Sequence, residues 1–502
     1  MSTKPASAVE RTWEGAAADA PDRPSILRHR SLVRVCGRLV LLGALLLPAA
    51  CGNLAGPDYQ RPEGPHKDTW SAIDAVRVSA VETIRPDWWR NFNDPYLDTL
   101  LAQAISSNYD LQVLAARTGV AEAAIGQANA ARLPTVDASV GGRQRGAAGG
   151  PVNQAYSQAA AIGWEVDLWG KLKKGVQAQE AELKASEADW RAGYLTLAAD
   201  LSSTYFRLRQ FDEQIDRQRL ALERNRRIAG IYESLYDEGV VPRTQLLKQQ
   251  AEVDGLENDL LELQRLRALA EHALATLTGT PAGELRVPAG HLSTAVDLVA
   301  VPAGLPASLL SRRPDIVAAE YRVLQAHELV GQARLARLPS ISLTAGSGTT
   351  SPDLGSLLSA WTFGLSQVVS IPIFDPAVQA RLDTSEASAQ VAEQEYRAAV
   401  IRAFEDVENA LVNLTHRREQ RRELLQQAQK LRVIARQVEA QLGEGLVSQL
   451  EVLEAERSVL AAEQQLLLNR QLILSATVEL YQALGGGWPA DVVQSAERRV
   501  EH

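Results

Sequence analysis

The sequence predicts a mainly α protein that carries four short strands and is built from two copies of one unit. Three observations support this fold class: long stretches without proline, a repeat at a fixed offset, and short segments of alternating polarity. The 502-residue chain is 46% hydrophobic but only 5% aromatic, and much of its apolar fraction is Ala and Leu, which favour helices. This composition excludes global disorder and disfavours an all-β enzyme.

The repeat is visible as matching motifs 205 residues apart. Gly126-Gln127-Ala128 recurs as Gly331-Gln332-Ala333, and Arg132-Leu133-Pro134 recurs as Arg337-Leu338-Pro339. One inserted residue then raises the offset to 206, so that Gly279 matches Gly485. The predicted organisation is a leader over 1–50, an N-terminal linker over 51–93, a first copy over 94–280, a second linker over 281–306, a second copy over 307–487 and a polar tail over 488–502.

The first 50 residues resemble a secretory leader. Four arginines between 28 and 38 precede an apolar stretch over 39–47, and two alanines precede Cys51. This is the order of a signal peptide, and a cysteine directly after two alanines resembles a bacterial lipoprotein site, where the cysteine becomes the acylated first residue. Pro48 stands where such signals usually carry Leu, and an ordinary signal peptide is the alternative.

Each copy predicts the same order of elements: a helix, two strands, a very long helix, a turn and a long return helix. The first helix is expected from Asp94-Pro95 to about Arg132, because Asp is a good N-cap and Pro suits a first helical turn. Its counterpart begins at Pro314. The expected hairpin helices cover 171–237 with a return after 242, and about 376–442 with a return over about 448–484. A helix of about 65 residues is roughly 100 Å long.

Four segments alternate between apolar and polar residues. They are centred on Val136–Val140, 160–168, Ile341–Ala345 and 361–371, with Gln367 as an exception. Loops near 143–157 and 349–356 would join them as hairpins. Each segment could reach the ~9–11 residues of a membrane-spanning strand, although a soluble sheet with one wet face alternates in the same way.

The number of strands separates these two interpretations. Lipid does not tolerate an open sheet edge, and a closed barrel within one chain needs at least about eight strands. Four strands in one chain would therefore have to be completed by other chains. Two, three or four copies would supply about 8, 12 or 16 strands, and alternation does not choose among them.

Motifs for other functions are missing from the sequence. It has no P-loop, HExxH, GxSxG or dinucleotide fingerprint, and its seven histidines lack metal-ligand spacing. The chain has a net charge of −9, whereas nucleic-acid-binding proteins usually carry an excess of basic residues. We therefore expect no enzyme activity, no catalytic residues, no metal site and no nucleic-acid partner. A structural coiled-coil lipoprotein is the alternative of another class.

Taken together, several short motifs resemble the outer membrane factor (TolC-like) family. Within it they are most similar to the NodT-type lipoproteins of resistance–nodulation–division pumps. The matching segments are Gly56–Pro62, Trp88-Trp89, Asp94-Pro95, Asn108–Leu111, Trp164–Gly170, Leu309–Ile316 and Ala483–Trp488. The resemblance implies a homotrimer in which four strands per chain form a 12-stranded transmembrane barrel. It also implies a coiled-coil helical tunnel, with the two linkers in an equatorial region.

This resemblance implies a location and a function. The chain would be anchored in the cell outer membrane by diacylglyceryl and N-acyl groups on Cys51 and would extend into the periplasm. It would passively conduct drugs or other small molecules, which it receives from a periplasmic adaptor protein and an inner-membrane resistance–nodulation–division transporter. The outer-membrane component of type I protein secretion or of metal export is the alternative within the family.

The same resemblance assigns roles to residues at the two turns of the helical hairpins. The adaptor-docking residues would be Gly239, Val241, Gly445 and Val447, and the periplasmic aperture would be lined by Leu450, Glu451, Glu454 and Arg457. The alternatives are that the glycines only make turns and that Glu454 and Arg457 form an ordinary ion pair on one helix face. The Tyr and Arg that lock the closed tip in some members are Leu442 and Val447 here.

The lipoprotein hypothesis predicts a mature chain that begins at an acylated Cys51. Mass spectrometry of the protein purified from membranes should show an N-terminal peptide that carries diacylglyceryl and N-acyl groups. A Cys51→Ala variant should lack this peptide. An unmodified Cys51, or a mature N-terminus elsewhere, would rule out the anchor.

Overall fold

Two long helical hairpins and one four-stranded sheet make up most of the described structure. The computed structural model describes residues 54–67, 69–70, 85–146, 148–292 and 312–486. The elements are α1 (Pro95–Ser107), α2 (Tyr109–Ala130), β1 (Thr135–Arg145), β2 (Asn153–Val166), α3 (Lys171–Asp237), α4 (Arg243–Leu277), α5 (Pro314–Leu335), β3 (Ser340–Ser351), β4 (Thr362–Ser370), α6 (Pro376–Gly443) and α7 (Gln449–Ala483), with short 3-10 turns at Trp88–Phe92 and Leu354–Ser356. The predicted leader, Cys51, most of the 281–306 linker and the 488–502 tail lie outside the described residues.

Side-chain caps define where several helices begin. The Asp94 carboxylate accepts hydrogen bonds from two backbone amides in the first turn of α1, at 3.0 and 3.2 Å. Asp375 does the same for α6, at 2.9 and 3.2 Å. In both helices proline is the first residue. These contacts satisfy amides that have no partner inside the helix.

The single helix expected from Asp94-Pro95 to about Arg132 is instead two helices, and that prediction was wrong. Asn108 lies between α1 and α2 with an extended backbone, φ −66° and ψ 125°. Its side-chain oxygen accepts a hydrogen bond from the Leu111 amide at 2.9 Å, and its side-chain amide donates to the Leu277 carbonyl at 3.1 Å. Asn108 therefore caps α2 and ties the break to the end of α4.

The long helices agree closely with their predicted bounds. Helices α3 and α6 have 67 and 68 residues, so each is about 100 Å long. The predicted apolar stripe of α3 is buried, as at Leu201, Tyr205 and Leu208. Among the described residues, no helix has both the length and the apolar character needed to cross a membrane.

The four strands form one antiparallel sheet in the order β1-β2-β3-β4. Strand β2 pairs with β3, as at Ile162 opposite Ala345, so the sheet joins the two copies of the repeat. The strands are longer than predicted at the loop ends: β1 runs to Arg145, and β2 begins at Asn153. The intervening loop is correspondingly shorter than the expected 143–157.

The core lies where the segment before α1 meets the long helices. Trp88 stacks on Tyr481 of α7, with ring centroids 4.9 Å apart. Phe92 meets Phe206 of α3 edge to face at 5.0 Å. Both rings of each pair are buried, and burial of aromatic area is a large source of stability. This cluster holds the first hairpin helix and the last helix of the chain together.

Glycines at equivalent positions end the two return helices. Gly279 and Gly485 have φ values of +68° and +86°, a conformation that costs most other residues about 1–2 kcal/mol. A Cβ on Gly279 would overlap the Ser107 carbonyl oxygen, and a Cβ on Gly485 would lie 2.9 Å from the Arg312 carbonyl oxygen. Gly279 therefore lets the end of α4 touch the backbone of Ser107, just before α2. Gly485 lets the end of α7 touch the backbone of Arg312, just before α5.

Replacing Gly279 by alanine is expected to lower the melting temperature of the detergent-purified protein. The left-handed backbone alone should lower the free energy of unfolding by about 1–2 kcal/mol. The new Cβ would also overlap the Ser107 backbone, which cannot move aside as a flexible side chain could. Gly255→Ala in α4 is the control, because a Cβ there meets nothing within 4 Å and helix propensity favours alanine. Equal melting temperatures for Gly279→Ala and the original protein would contradict this account.

Candidate functional site

The two faces of the sheet differ sharply in polarity. One row of paired residues crosses all four strands as Val136, Ile162, Ala345 and Leu365. The next row, whose side chains point to the opposite face, consists of small residues and hydroxyl groups: Thr135, Gly163, Thr344 and Ser366. The predicted alternation is therefore one continuous apolar face and one continuous polar face.

The apolar face is not covered by the other described residues. Val136 is 72% exposed and Leu365 is 82% exposed. Trp164, Trp361 and Phe363 are also exposed. An uncovered apolar surface of this extent is typical of contact with lipid or with another protein, and aromatic residues near its margins are typical of membrane strands.

Both edges of the sheet are open within the described chain. β1 pairs with β2, β4 pairs with β3, and neither has a second neighbour there. Successive strands alternate in direction, so β1 and β4 run antiparallel to each other. The β1 edge of one copy is therefore suited to pair with the β4 edge of another copy.

The turns of the two helical hairpins have the same backbone structure. Gly239 and Gly445 adopt the left-handed backbone conformation, with φ values of +73° and +72°. In the first turn the Val240 amide donates to the Leu235 carbonyl at 2.8 Å, and in the second the Leu446 amide donates to the Gln441 carbonyl at 2.9 Å. Together with the shorter-range bond made by each glycine amide, this is the Schellman motif that ends a helix.

Side chains at these tips are also alike in exposure. Val240 and Leu446 are exposed apolar residues at equivalent positions, and the predicted docking residues Val241 and Val447 are half-buried beside them. The two tips therefore present the same backbone shape and similar apolar side chains. The structure brings each pair of predicted docking residues together within its own tip.

The predicted aperture residues lie in the first turns of α7. Glu451 accepts hydrogen bonds from the amide and the hydroxyl of Ser448, at 3.3 and 3.2 Å, and this capping box fixes the start of the helix. Leu450 and Glu454 are exposed. Arg457 lies 3.3 Å from Glu252 of α4. In the described part of the chain Arg457 thus pairs with Glu252 and not with Glu454, and Glu454 lies on a solvent-exposed helix face.

Sequence reasoning missed a set of ion pairs that connects the two hairpins. Arg217 of α3 lies 3.1 Å from Glu463 of α7. One heptad further along, Arg224 contacts Glu456 of α7 and lies 3.2 Å from Glu439 of α6. The sequence did contain a signal for these pairs: the two arginines on α3 are seven residues apart, and so are the two glutamates Glu456 and Glu463 on α7.

The environment of Glu456 shows how closely these hairpins pack. Burial raises the pKa of its carboxyl, and Arg224 acts in the opposite direction. Its side chain is 16% exposed, against 49% for Arg224. The cost of burying this carboxyl therefore exceeds the attraction of Arg224, so the pair reports close packing of the hairpins and is not counted as a source of stability.

A strand array with an uncovered apolar face, attached to helical hairpins about 100 Å long, defines an outer-membrane channel protein. The family model for outer membrane efflux proteins matches residues 100–280 and 305–486. The chain belongs to the outer membrane efflux protein family.

Individual relatives match almost their whole length. The Salmonella typhimurium protein named probable outer membrane lipoprotein SilC is 30% identical over 468 residues, covering 90% of this chain and 99% of the relative. The toluene efflux pump outer membrane protein TtgF of Pseudomonas putida is 31% identical over 475 residues, covering 89% and 96%. The crystal structure of the open state of the Neisseria gonorrhoeae MtrE outer membrane channel has a TM-score of 0.77 at 28% identity, covering 86% and 98%.

These similarities confirm the family resemblance, the mainly α fold with its internal duplication, and the outer-membrane location. The chain is an efflux protein of the outer membrane that extends into the periplasm. The predicted domain bounds, the docking residues and the aperture residues stay predictions.

Proposed function

We propose that this chain is the outer-membrane channel of a three-part efflux system and passively conducts drugs or other small molecules to the exterior. The observation that carries the proposal is the sheet with one apolar face, one polar face and two open edges, continuous with the two long hairpins. A strand array of this kind can surround a polar lumen in lipid. The helices supply the length to continue that lumen through the periplasm.

Three copies are the proposed assembly. Four strands from each of three chains would give a closed barrel of twelve strands, a number within the range of known barrels. Closure would pair each β1 edge with a neighbouring β4 edge and remove the lipid-exposed backbone groups. Exposed apolar residues on α2 and α6, such as Val120 and Val391, would then face neighbouring chains.

A lipid anchor on Cys51 fits the course of the segment that follows it. The Ala55 carbonyl lies beside Gly331, near the end of α5 that leads into β3. The chain then runs away from the sheet, since Arg61 lies 2.8 Å from Glu320 and Lys67 pairs with Glu408. Cys51 precedes Ala55 by four residues, at most about 14 Å of extended chain. The name of SilC as a lipoprotein supports the same modification.

The two hairpin tips are the proposed docking surface for a periplasmic adaptor protein. Their shared Schellman backbone and similar exposed side chains would offer one kind of groove twice per chain. Three chains would present six such grooves, and an inner-membrane resistance–nodulation–division transporter would supply the energy through the adaptor. The efflux of toluene named for TtgF supports a small-molecule cargo over protein secretion.

Deletion of the gene is expected to sensitise cells to dyes and antibiotics, because a conduit for small molecules would be lost. Restoring the gene should restore resistance, and intracellular dye accumulation measures both. As a control, a Cys51→Ala form tests whether the anchor itself is needed. Unchanged dye accumulation in the deletion strain, together with lost secretion of a protein, would contradict small-molecule efflux.

Glu454 is proposed to place a ring of three carboxylates at the periplasmic aperture, where negative charge would attract cations and repel anions. In planar bilayers Glu454→Ala should therefore raise single-channel conductance or reduce cation selectivity. Glu262→Ala, an exposed carboxylate paired with Arg265 on α4, is the control and should change neither. Unchanged conductance and selectivity in Glu454→Ala would contradict the proposed ring of carboxylates.

A further inference from the structure

Two arginines lie at the end of β1 that is farthest from the helices. Arg143 pairs with Ala155 and Arg145 pairs with Asn153 in the β1–β2 ladder, so the backbone of both arginines belongs to the sheet. Both are an even number of residues from Thr135, which places them on the same face. Arg143 and Arg145 therefore belong to the polar face of the sheet, about 26 Å or more along the strand from Thr135.

Little negative charge surrounds these two side chains. Neither guanidinium group forms a hydrogen bond or ion pair with the described residues. The described residues at this end of the sheet, 141–146, 148–157 and 347–362, include one acidic residue, Asp353. Asp353 lies in the β3–β4 loop, where its amide donates a hydrogen bond to the Ser351 hydroxyl oxygen at 3.2 Å. The polar face therefore carries uncompensated positive charge here.

The other end of the same face has the opposite character. Asp137 lies near the start of β1, again an even number of residues from Thr135. Glu165, near the end of β2, is held in an ion pair by Lys171. Among the side chains of the four strands, positive charge is thus confined to Arg143 and Arg145, at the end away from the helices. Since the helices extend into the periplasm, that end faces the exterior.

We propose that Arg143 and Arg145 form an anion-binding outer mouth of the channel. The inference rests on the proposed trimer, in which two arginines from each of three chains would surround the polar lumen. A guanidinium group binds phosphate, sulfate or carboxylate through paired N–H donors and stays charged at all physiological pH values. A ring of such groups in a low-dielectric wall concentrates anions and repels cations.

Two consequences follow for transport. Anionic molecules arriving from the periplasm meet a favourable potential at the exit, so the mouth would admit anions in preference to cations. A polyvalent anion added from outside binds several arginines at once and obstructs the lumen. This block depends on the side of addition and weakens with salt, because the interaction is electrostatic and partly exposed to solvent.

The test is block of single-channel current by inositol hexakisphosphate in planar bilayers of phosphatidylcholine, which lacks anionic lipid that could compete. The original protein should be blocked from one side only. The double variant R143Q/R145Q should need at least about tenfold more of the anion, since charge-assisted contacts are lost from every chain. R143K/R145K should keep part of the block, because charge remains while the paired donors are lost.

The matched control is R132Q/R337Q. It removes the same number of arginines per chain, from equivalent positions of the two repeats at the helix end of the strands, and should leave the block unchanged. Should the double variant fail to fold, R143Q and R145Q singly must each weaken the block. Equal block of the original protein and R143Q/R145Q, equal block from both sides, or loss of block in the control would overturn the inference. Absence of any channel current in the original protein would instead count against the proposed function.

Discussion

Backbone hydrogen bonding inside lipid is the constraint on which most of this structure depends. An unpaired N–H or C=O group in hydrocarbon costs several kcal/mol, and the described part of one chain brings four strands. β1 and β4 each leave one edge open, while the apolar face that needs lipid is already complete. These four strands are therefore too few to close a barrel by themselves. In the proposed trimer, assembly and membrane insertion are the same event.

The duplication repeats contacts as well as elements, although the residues that make them have diverged. Asn108 donates a hydrogen bond to the Leu277 carbonyl at 3.1 Å, and at the equivalent place Arg313 donates to the Ala483 carbonyl, also at 3.1 Å. Arg313 has a second role, because it also contacts Asp406 of α6 at 2.9 Å. Both copies of the repeat thus keep a hydrogen bond from the N-cap residue of a short helix, α2 or α5, to the end of the return helix, α4 or α7. The second copy adds an ion pair to it.

Much of this architecture is readable from residue order, because helices are held by contacts within a few residues. The bounds of α3 match the prediction over Lys171–Asp237, since proline and glycine punctuate both ends. The break at Asn108 was missed because asparagine can stand inside a helix or cap the next one, and the Leu277 carbonyl decides between them. The partner of Arg457 was missed for a similar reason. Glu454 is close in sequence, whereas Glu252 is close only after the hairpins have packed.

The sequence by itself determined the two repeats, the long hairpins, the alternating strands and the family to which they belong. Each of these depends on periodicity or on motifs that are local in the chain. Only the tertiary structure decided that β2 pairs with β3, so that two hairpins from different repeats become one sheet, both edges of which are open in the described part of the chain. It also decided that Arg143 shares the polar face and lies at the end away from the helices. Strand pairing decided both, because it joins residues far apart in sequence through backbone groups that are the same in every residue but proline.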